Sequence, residues 1–416
     1  MSKISSLPTL DNVQVQGKIV LVRIDLNIPM HEGKILDYAR VERIIPTLRE
    51  LLHHQAKVVV LSHFGRPKGK IVPSMTLKPL AEVLSRLLNH EVVFTQDCTS
   101  SQTRSLIASL KNGDIAMLEN LRFNSGEESN ESNFAQELAQ LGDLYVNDSF
   151  SVSHRAHASV EGITHYLPSY AGRLMEEEIQ ALERTLGEPL RPVAAFVAGS
   201  KISTKLSLLK NLISKVDYLI LGGGIANTFL LARGIAVGSS LVEESMTGAA
   251  QEIEEAARNC NCTLVLPQDV MVAMDHGTSL YHQVMSLDDI QSNQKIYDIG
   301  PETQNYLKDL LQQVKTVVWN GPLGVFEQPP FDTGTNEVAL AAASLTQQGK
   351  LFTIAGGGET VAALNASGAG QHFSYLSTAG GAFLEWLEGK TLPGVKALLE
   401  ATQVNKTADS KRTAQA

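Results

Sequence analysis

The chain has 416 residues, 43% of them hydrophobic and 19% charged, a composition that supports two or three domains with buried cores and excludes disorder, collagen-like repeats and a small stapled scaffold. The formal charge of −9 argues against a protein held on nucleic acid by its overall field, so any polyanion must meet a local basic patch. No stretch reaches the ~18 apolar residues of a membrane span, and residues 1–17 carry no signal-like apolar run, so a soluble cytoplasmic protein without membrane contact is expected.

Along the chain, short β-branched runs alternate with amphipathic segments, the pattern of βα units around parallel sheets. Strands are predicted at Ile19–Ile24, Lys57–Leu61, Val92–Thr95, Ile115–Leu118 and Leu144–Val146. Six more follow at Val193–Val197, Tyr218–Leu221, Thr263–Leu266, Thr316–Trp319, Leu351–Ile354 and Ser374–Leu376. That is too many for one ordinary doubly wound sheet, so two are expected. Between the two sets, Leu174, Ile179, Leu182 and Leu186 follow roughly helical spacing before Gly187 and Pro189, which predicts a connecting helix. Eleven arginines precede Leu186 and four follow it, whereas 23 of the 32 glycines follow it. The halves have different chemistry.

Ligands of open parallel sheets sit beyond the carboxyl ends of the strands. In the first half these ends read "DLNIP" (Asp25, Asn27), "SHFGRP" (His63, Phe64, Gly65, Arg66), "ENLRF" (Arg122) and "NDSFSVSHRAHAS" (His154, Arg155, His157), with Arg40 after the first loop. A single Arg is usually a surface ion pair. Arginines at successive strand ends predict a small anion pocket, because guanidinium recognises phosphate and carboxylate bidentately. His154 and His157 also have His-x-x-His metal spacing, but a cation would share the site with Arg155, which favours anion contact or packing. Cys98, Cys260 and Cys262 form no framework; Cys260-x-Cys262 could be half a metal site, but reduced thiols are expected.

In the second half the strand ends carry "AGSKISTK" (Gly199, Lys201, Lys205), "GGGIANTF" (Gly222 to Gly224, including Gly223) and "NGPLGVFE" (Asn320, Pro322, Gly324, Glu327). "AGGGETVAAL" (Gly357, Gly358, Glu359, Thr360) and "STAGGAFLEW" (Gly380, Gly381) follow. Each glycine run alone is explained by a tight turn. Several side by side suggest a nucleotide, since glycine admits close backbone approach and helix N-termini favour phosphate. Neither G-x-x-x-x-G-K-[ST] nor G-x-G-x-x-G occurs at these loops, which excludes a P-loop or a dinucleotide fingerprint. Lys201 and Lys205, if helical, lie four apart on one face and could both address phosphates.

In order along the chain, "VRIDLNIP", "SHFGRP", "LENLRF", "NDSFSVSHRAHAS", "GSKISTKL", "LGGGIANTF", "WNGPLGVFE", "AGGGET" and "STAGGAFLEW" resemble the motifs of the phosphoglycerate kinase family, from about Asp11 to Leu399. The resemblance implies an α/β fold of two doubly wound, Rossmann-like parallel-sheet domains joined by a helix, with a cleft between them. It places a phosphoglycerate-binding domain at 1–172, a linker helix at 173–187 and a nucleotide-binding domain at 188–394, with 395–416 packing back on the first domain. It implies a monomeric Mg²⁺-dependent enzyme that moves a phosphoryl group between 1,3-bisphosphoglycerate with ADP and 3-phosphoglycerate with ATP.

By the same resemblance Asp25, Asn27, His63, Phe64, Gly65, Arg66, Arg122 and Arg155 hold the phosphoglycerate, and Arg40 lies by the reacting carboxyl. Lys201 follows the moving group, Lys205 holds nucleotide phosphates and Glu327 takes the ribose. Gly199, Gly223, Asn320, Pro322 and Gly324 belong to the nucleotide site, Gly357, Gly358, Thr360, Gly380 and Gly381 line the phosphate path, and Glu359 contacts Mg²⁺. Two departures stand out. Glu359 occupies the place of an Asp, and Ala379 that of the first Gly of a T-G-G-G-A run, which puts reach at the one and backbone freedom at the other in question. "AGSK" for G-G-A-K and "SFSVSHR" for A-F-G-x-x-H-R are milder. Two other classes fit the two-lobed outline: a non-catalytic anion-binding protein, which predicts an export signal and no nucleotide loops, and a dinucleotide oxidoreductase, which predicts G-x-G-x-x-G.

Overall fold

The protein is described from a computed structural model, covering residues 7–401 apart from 29, 32–33, 36–37 and 277–278. These residues fall into two compact units, one running to Gln180 and resuming at Thr391, the other spanning Ala181–Lys390.

In the first unit the strands are β1 (Ile19–Ile24), β2 (Met30–His31), β3 (Lys34–Ile35), β4 (Lys57–Leu61), β5 (Val92–Phe94), β6 (Ile115–Met117), β7 (Leu144–Asp148) and β8 (Ser169–Ala171). Six of them form one sheet in the order β5-β6-β4-β1-β7-β8, with every pairing parallel. Side chains alternate between two cores. Val20, Val22, Ile24, Val58 and Val60 enter one cluster, while Leu21, Val59 and Leu61 enter the other. A parallel sheet buried on both faces needs such uninterrupted apolar strands. Strand β8 was not anticipated, being three residues long with Tyr170 only half buried.

The helices that cover this sheet start and stop by local rules. Ser100 caps Ser101–Ala108 by accepting from the Thr103 N–H, and Asn89 ends Lys78–Leu88 in the left-handed region at φ 50°. The helix Arg173–Leu182 is closed by a single wide turn, Glu183–Gly187. The returning segment packs on the first unit: the Gly394 N–H donates to the Ser153 carbonyl at 2.9 Å, and Val395, Ala397, Leu398 and Ala401 are buried. The rest of the expected return, 402–416, lies outside the described residues.

The second unit contains β9 (Val193–Ala198), β10 (Tyr218–Gly222), β11 (Thr263–Val265), β12 (Asp269–His276), β13 (Ser279–Ser286), β14 (Lys295–Ile299), β15 (Thr316–Asn320), β16 (Phe352–Gly356) and β17 (Tyr375–Ser377). Its main sheet runs β11-β10-β9-β15-β16-β17, again all parallel. Phe196 and Trp319 stack across β9 and β15 with ring centroids 4.2 Å apart. A second, antiparallel sheet, β13-β12-β14, was not anticipated. Its strands serve a small cluster of their own around Val270, Val272 and Ile290.

Candidate functional site

Strands β6, β4, β1 and β7 are contiguous in the first sheet, so the segments that follow them emerge side by side at one edge. There Asp25, Asn27, Arg40, His63, Gly65 and Arg122 come together. The Asp25 carboxylate lies 3.9 Å from Arg40 and 4.0 Å from His63 Nδ1, and accepts from the Ser151 hydroxyl and, at 2.9 Å, from the Asn27 N–H. Arg40 donates to the Asn27 carbonyl at 3.1 Å. Asn27 Oδ1 accepts the Gly65 N–H at 2.9 Å, and Arg122 donates to the Gly65 carbonyl at 2.8 Å. Gly65 sits at φ 66°, a backbone conformation that disfavours a side chain, and a Cβ there would also push on the flexible Met75 side chain, 2.8 Å from its Sδ. Phe64 packs on the core with its backbone held on both sides by Asn120.

Arg66 and Arg155 are exposed. Arg66 has no hydrogen bond or ion pair among the described residues, and Arg155 contacts the neighbouring His154. These two guanidinium groups are thus open to an incoming anion, while Arg122 is 4% exposed, its Nε without a hydrogen bond but 3.5 Å from Glu128 Oε1. Burial pushes the His63 imidazole well below its ordinary pKa, with Arg23, Arg122, His157 and Arg155 adding to the effect. His157 is pushed down to about 3 by burial and the same arginines. Both rings are neutral near pH 7.

Arg23, Ser159, Glu127 and Asn120 at this edge were missed from sequence. Arg23 lies wholly buried within β1, bonded to Ser159, the Ile24 carbonyl and His63, and Glu127 is equally buried beneath Ser159. Asn120, also fully buried, ties Phe64, Met75 and Arg122 together. The available signal was a charged residue inside "IVLVRI", since an arginine in a two-faced parallel strand must find buried partners.

At the corresponding edge of the second sheet, β10, β9, β15, β16 and β17 are contiguous and each ends in a glycine-bearing turn. The turns after β10 and β15 are packed too closely for side chains at their glycines. A Cβ on Gly223 would lie 2.9 Å from the Gly199 carbonyl oxygen, and one on Gly324 2.3 Å from Asp298 Oδ1. Gly199, Gly223, Pro322, Gly324, Glu327 and Glu359 line one cavity of about 240 Å³, with Leu241, Ile296 and Tyr297 supplying apolar wall. Lys201, Lys205, Asn320, Gly357, Gly358, Thr360, Gly380 and Gly381 are not among its lining residues.

Lys205 and Lys201 do not share a helix face as expected, because a separate turn, Ile202–Thr204, stands between them and the helix Leu206–Leu212 begins only after Lys205. Lys201 is exposed. Lys205 reaches Asn320 Oδ1, and burial lowers its pKa to about 8 against the pull of Glu359 and Glu388. Asn320 in turn donates to the Gly356 carbonyl at 2.7 Å, and Thr360 accepts the Gly321 N–H at 2.8 Å. Gly357 at φ 103° caps the helix Gly358–Ala366, and Gly380 at φ 49° caps Gly381–Leu387. Ala379 does not take a positive φ, so the missing glycine costs this turn nothing.

Asp298 also escaped the sequence reading. It lines the cavity while accepting the Ile299 and Gly334 N–H groups at 2.9 and 2.6 Å, and burial raises its pKa to about 8. Glu359 stands exposed in the first turn of Gly358–Ala366. Mg²⁺ takes one or two carboxylates and fills its other positions with phosphate oxygens and water, a requirement that this exposed carboxylate at the rim of the cavity fits. Among the described residues no three His, Cys, Asp or Glu side chains gather as a metal cage, and all three cysteines are free. A cavity of about 510 Å³ in the first unit is lined by residues that include Asp11, Glu50, His53, His54 and Arg173. Its one arginine is already paired with Asp11, Glu50 and Glu176.

A family model for phosphoglycerate kinase matches residues 10–390. The chain is 52% identical over 393 residues to phosphoglycerate kinase of Bartonella henselae, covering 94% of this chain and 99% of that protein. It is 51% identical over 391 residues to that of Methylorubrum populi, covering 94% and 98%. Among solved structures, phosphoglycerate kinase from Coxiella burnetii superposes with a TM-score of 0.88 at 41% identity, over 95% of this chain and 99% of that one. The Pyrococcus horikoshii enzyme gives 0.78 at 31%, with the same coverage. With both sheets, both motif-bearing edges and nearly the whole length accounted for, the chain belongs to the phosphoglycerate kinase family.

Proposed function

We propose that the chain catalyses the reversible, Mg²⁺-dependent transfer of a phosphoryl group between ATP and the carboxylate of 3-phosphoglycerate, yielding ADP and 1,3-bisphosphoglycerate. The observation that carries this reading is the division of labour between the two sheets: in a chain of this family, the cationic side chains end the strands of one and the close-packed glycine turns end the strands of the other. In this reading Asp25, Asn27, His63, Arg66, Arg122 and Arg155 hold the phosphoglycerate, and Arg40 faces its carboxyl. The cavity lined by Gly223, Gly324 and Glu327 takes the nucleoside, and Lys205 its phosphates.

A carboxylate acceptor titrates near 4 and is already ionised near pH 7, so the reaction needs no general base. The enzyme's task is to align donor and acceptor and to stabilise charge on the equatorial oxygens of the moving group. Arg40, Lys201 and the main-chain N–H groups after Gly380 are assigned that role. Glu359 would hold the nucleotide's Mg²⁺, which when bound neutralises phosphate charge. Transfer also requires the two substrates to meet with water excluded, so the reading includes closure of the two units about the connecting helix.

The test is a coupled assay of ADP formation from ATP and 3-phosphoglycerate, with and without EDTA. Turnover that depends on 3-phosphoglycerate and is lost on chelation is expected. ATP hydrolysis indifferent to 3-phosphoglycerate would overturn the proposal.

A further inference from the structure

The geometry around His63 decides a point of chemistry that the assignment of phosphoglycerate to the first unit leaves open. A neutral imidazole has one donor nitrogen and one acceptor, and which is which depends on its partners. Arg23 Nη2 lies 3.0 Å from His63 Nδ1. A guanidinium can only donate, so Nδ1 accepts and the ring proton sits on Nε2, which has no hydrogen-bond partner among the described residues.

Arg23 is itself fixed from three sides. Nη1 donates to the Ile24 carbonyl, and Nε donates to Ser159 Oγ at 3.0 Å. The Ser159 hydroxyl then donates to Glu127 Oε1 at 2.6 Å, and the Ser159 N–H to Oε2 at 3.0 Å. A serine hydroxyl has one proton and two lone pairs, so this relay can run only from Arg23 towards Glu127. Arg23, Ser159 and Glu127 are each 0% exposed, and His63 is 2% exposed. The buried carboxylate balances the buried guanidinium, which neither group could do without in such surroundings.

We propose that Arg23, held by Ser159 and Glu127, is a positioning residue that fixes His63 as the neutral tautomer protonated at Nε2, so that His63 meets the anionic substrate of this unit as an N–H donor. The proposal rests on the functional reading above for the identity of that substrate. The charged and titratable groups around the ring agree with it. Arg23, Arg122, Arg155 and His157 all oppose a second proton. The facing acid, Asp25, is 4.0 Å from Nδ1 and is already engaged by Ser151, Asn27 and, at 3.9 Å, Arg40. A neutral donor keeps the charge of the patch constant while solution pH crosses the usual imidazole range, leaving the arginines to supply the field.

The experiment is ¹⁵N NMR of the full chain labelled at histidine, in the wild type, Ser159→Ala and Glu127→Gln, paired with the pH dependence of KM for 3-phosphoglycerate. In the wild type His63 should show a proton-bearing Nε2 and a bare Nδ1, without titrating between about pH 6 and 8. In both variants Arg23 loses its anchor, so the ring should become a tautomer mixture or titrate in that range, and KM should acquire a dependence on pH of about three- to tenfold that the wild type lacks. A wild-type proton on Nδ1, or a wild-type titration in the window, overturns the proposal even if neither variant folds. Variants that keep both the wild-type tautomer and the wild-type KM profile overturn it as well. The NMR arm is read without ligand, so its outcome is separate from that of the functional reading.

Discussion

At the carboxyl edge of the first sheet the groups offered to a ligand are side chains, whereas at the same edge of the second they are mostly main chain. The first edge gathers Arg40, Arg66, Arg122 and Arg155 and balances part of that charge internally with Glu127 and Asp25. The second edge stacks glycine turns so closely that added Cβ atoms on Gly223, Gly224 and Gly321 would meet neighbouring carbonyl oxygens at 2.9, 2.2 and 2.0 Å. One edge presents charge and the other clearance. Substitutions that leave the backbone alone but alter charge should therefore act on the first, and those that only add volume should act on the second.

The largest expected effect tests the charge side. Arg40→Ala should lower kcat by about 10²- to 10³-fold, the usual cost of removing one group that stabilises developing charge, while ADP affinity measured by calorimetry stays within about twofold. Loss of ADP affinity in proportion to kcat would erase the division between the edges.

Clearance is tested by a pair of glycines. In Gly324→Ala the new methyl would lie 2.3 Å from Asp298 Oδ1 and 2.4 Å from the Phe331 carbonyl oxygen, so urea unfolding should show a loss of about 1–3 kcal/mol. At Gly358, in the helix that follows Gly357, nothing lies within 4 Å of where a Cβ would stand, and alanine there should change stability by no more than about 0.5 kcal/mol. Equal losses in the two variants would show that close packing does not distinguish these turns.

A smaller effect separates the edges by pH. Burial and the surrounding arginines depress His63 and His157, His157 to about 3, so the unfolded chain binds protons below about pH 6.5 that the folded chain refuses. Stability is therefore lost as pH falls from about 6.5 towards 3, on the order of 1 kcal/mol from His157 by about pH 5.5, with His63 acting in the same direction. His157→Gln should flatten that limb in chemical unfolding series. An unaltered limb would place the acid sensitivity elsewhere.

What the sequence made legible follows from how local each feature is. The strand runs and the motifs after them are contiguous, and the parallel order of each sheet then lines up edges that no single segment reveals. Features built from distant residues were not readable. Arg23 and Ser159 are 136 positions apart, and nothing near either announces the other. The Lys201–Lys205 spacing suggested one helical face because a four-residue interval is helical only if the backbone is, and the turn Ile202–Thr204 breaks it. The antiparallel sheet of β12, β13 and β14 escaped a search tuned to βα units. Among the described residues the three-residue turn Leu287–Asp289 is the one helical element between its first strand and its last.

The smallest effect is a fractional proton on the glycine side. Burial of Lys205 lowers its pKa to about 8, with Glu359 and Glu388 holding it from falling further. For a lysine depressed in this way the free protein is about half charged near pH 8 and fully charged near pH 6.5. A nucleotide phosphate beside the ammonium raises the pKa again, so ADP binding should take up close to half a proton at about pH 8 and almost none near 6.5, where ionisation of the phosphate must be subtracted. Calorimetric titrations in two buffers of different ionisation enthalpy measure this directly, and Lys205→Met should abolish the uptake at the higher pH while weakening ADP. If the uptake survives that substitution, another group takes the proton, and Lys205 is not the charge that meets the phosphate.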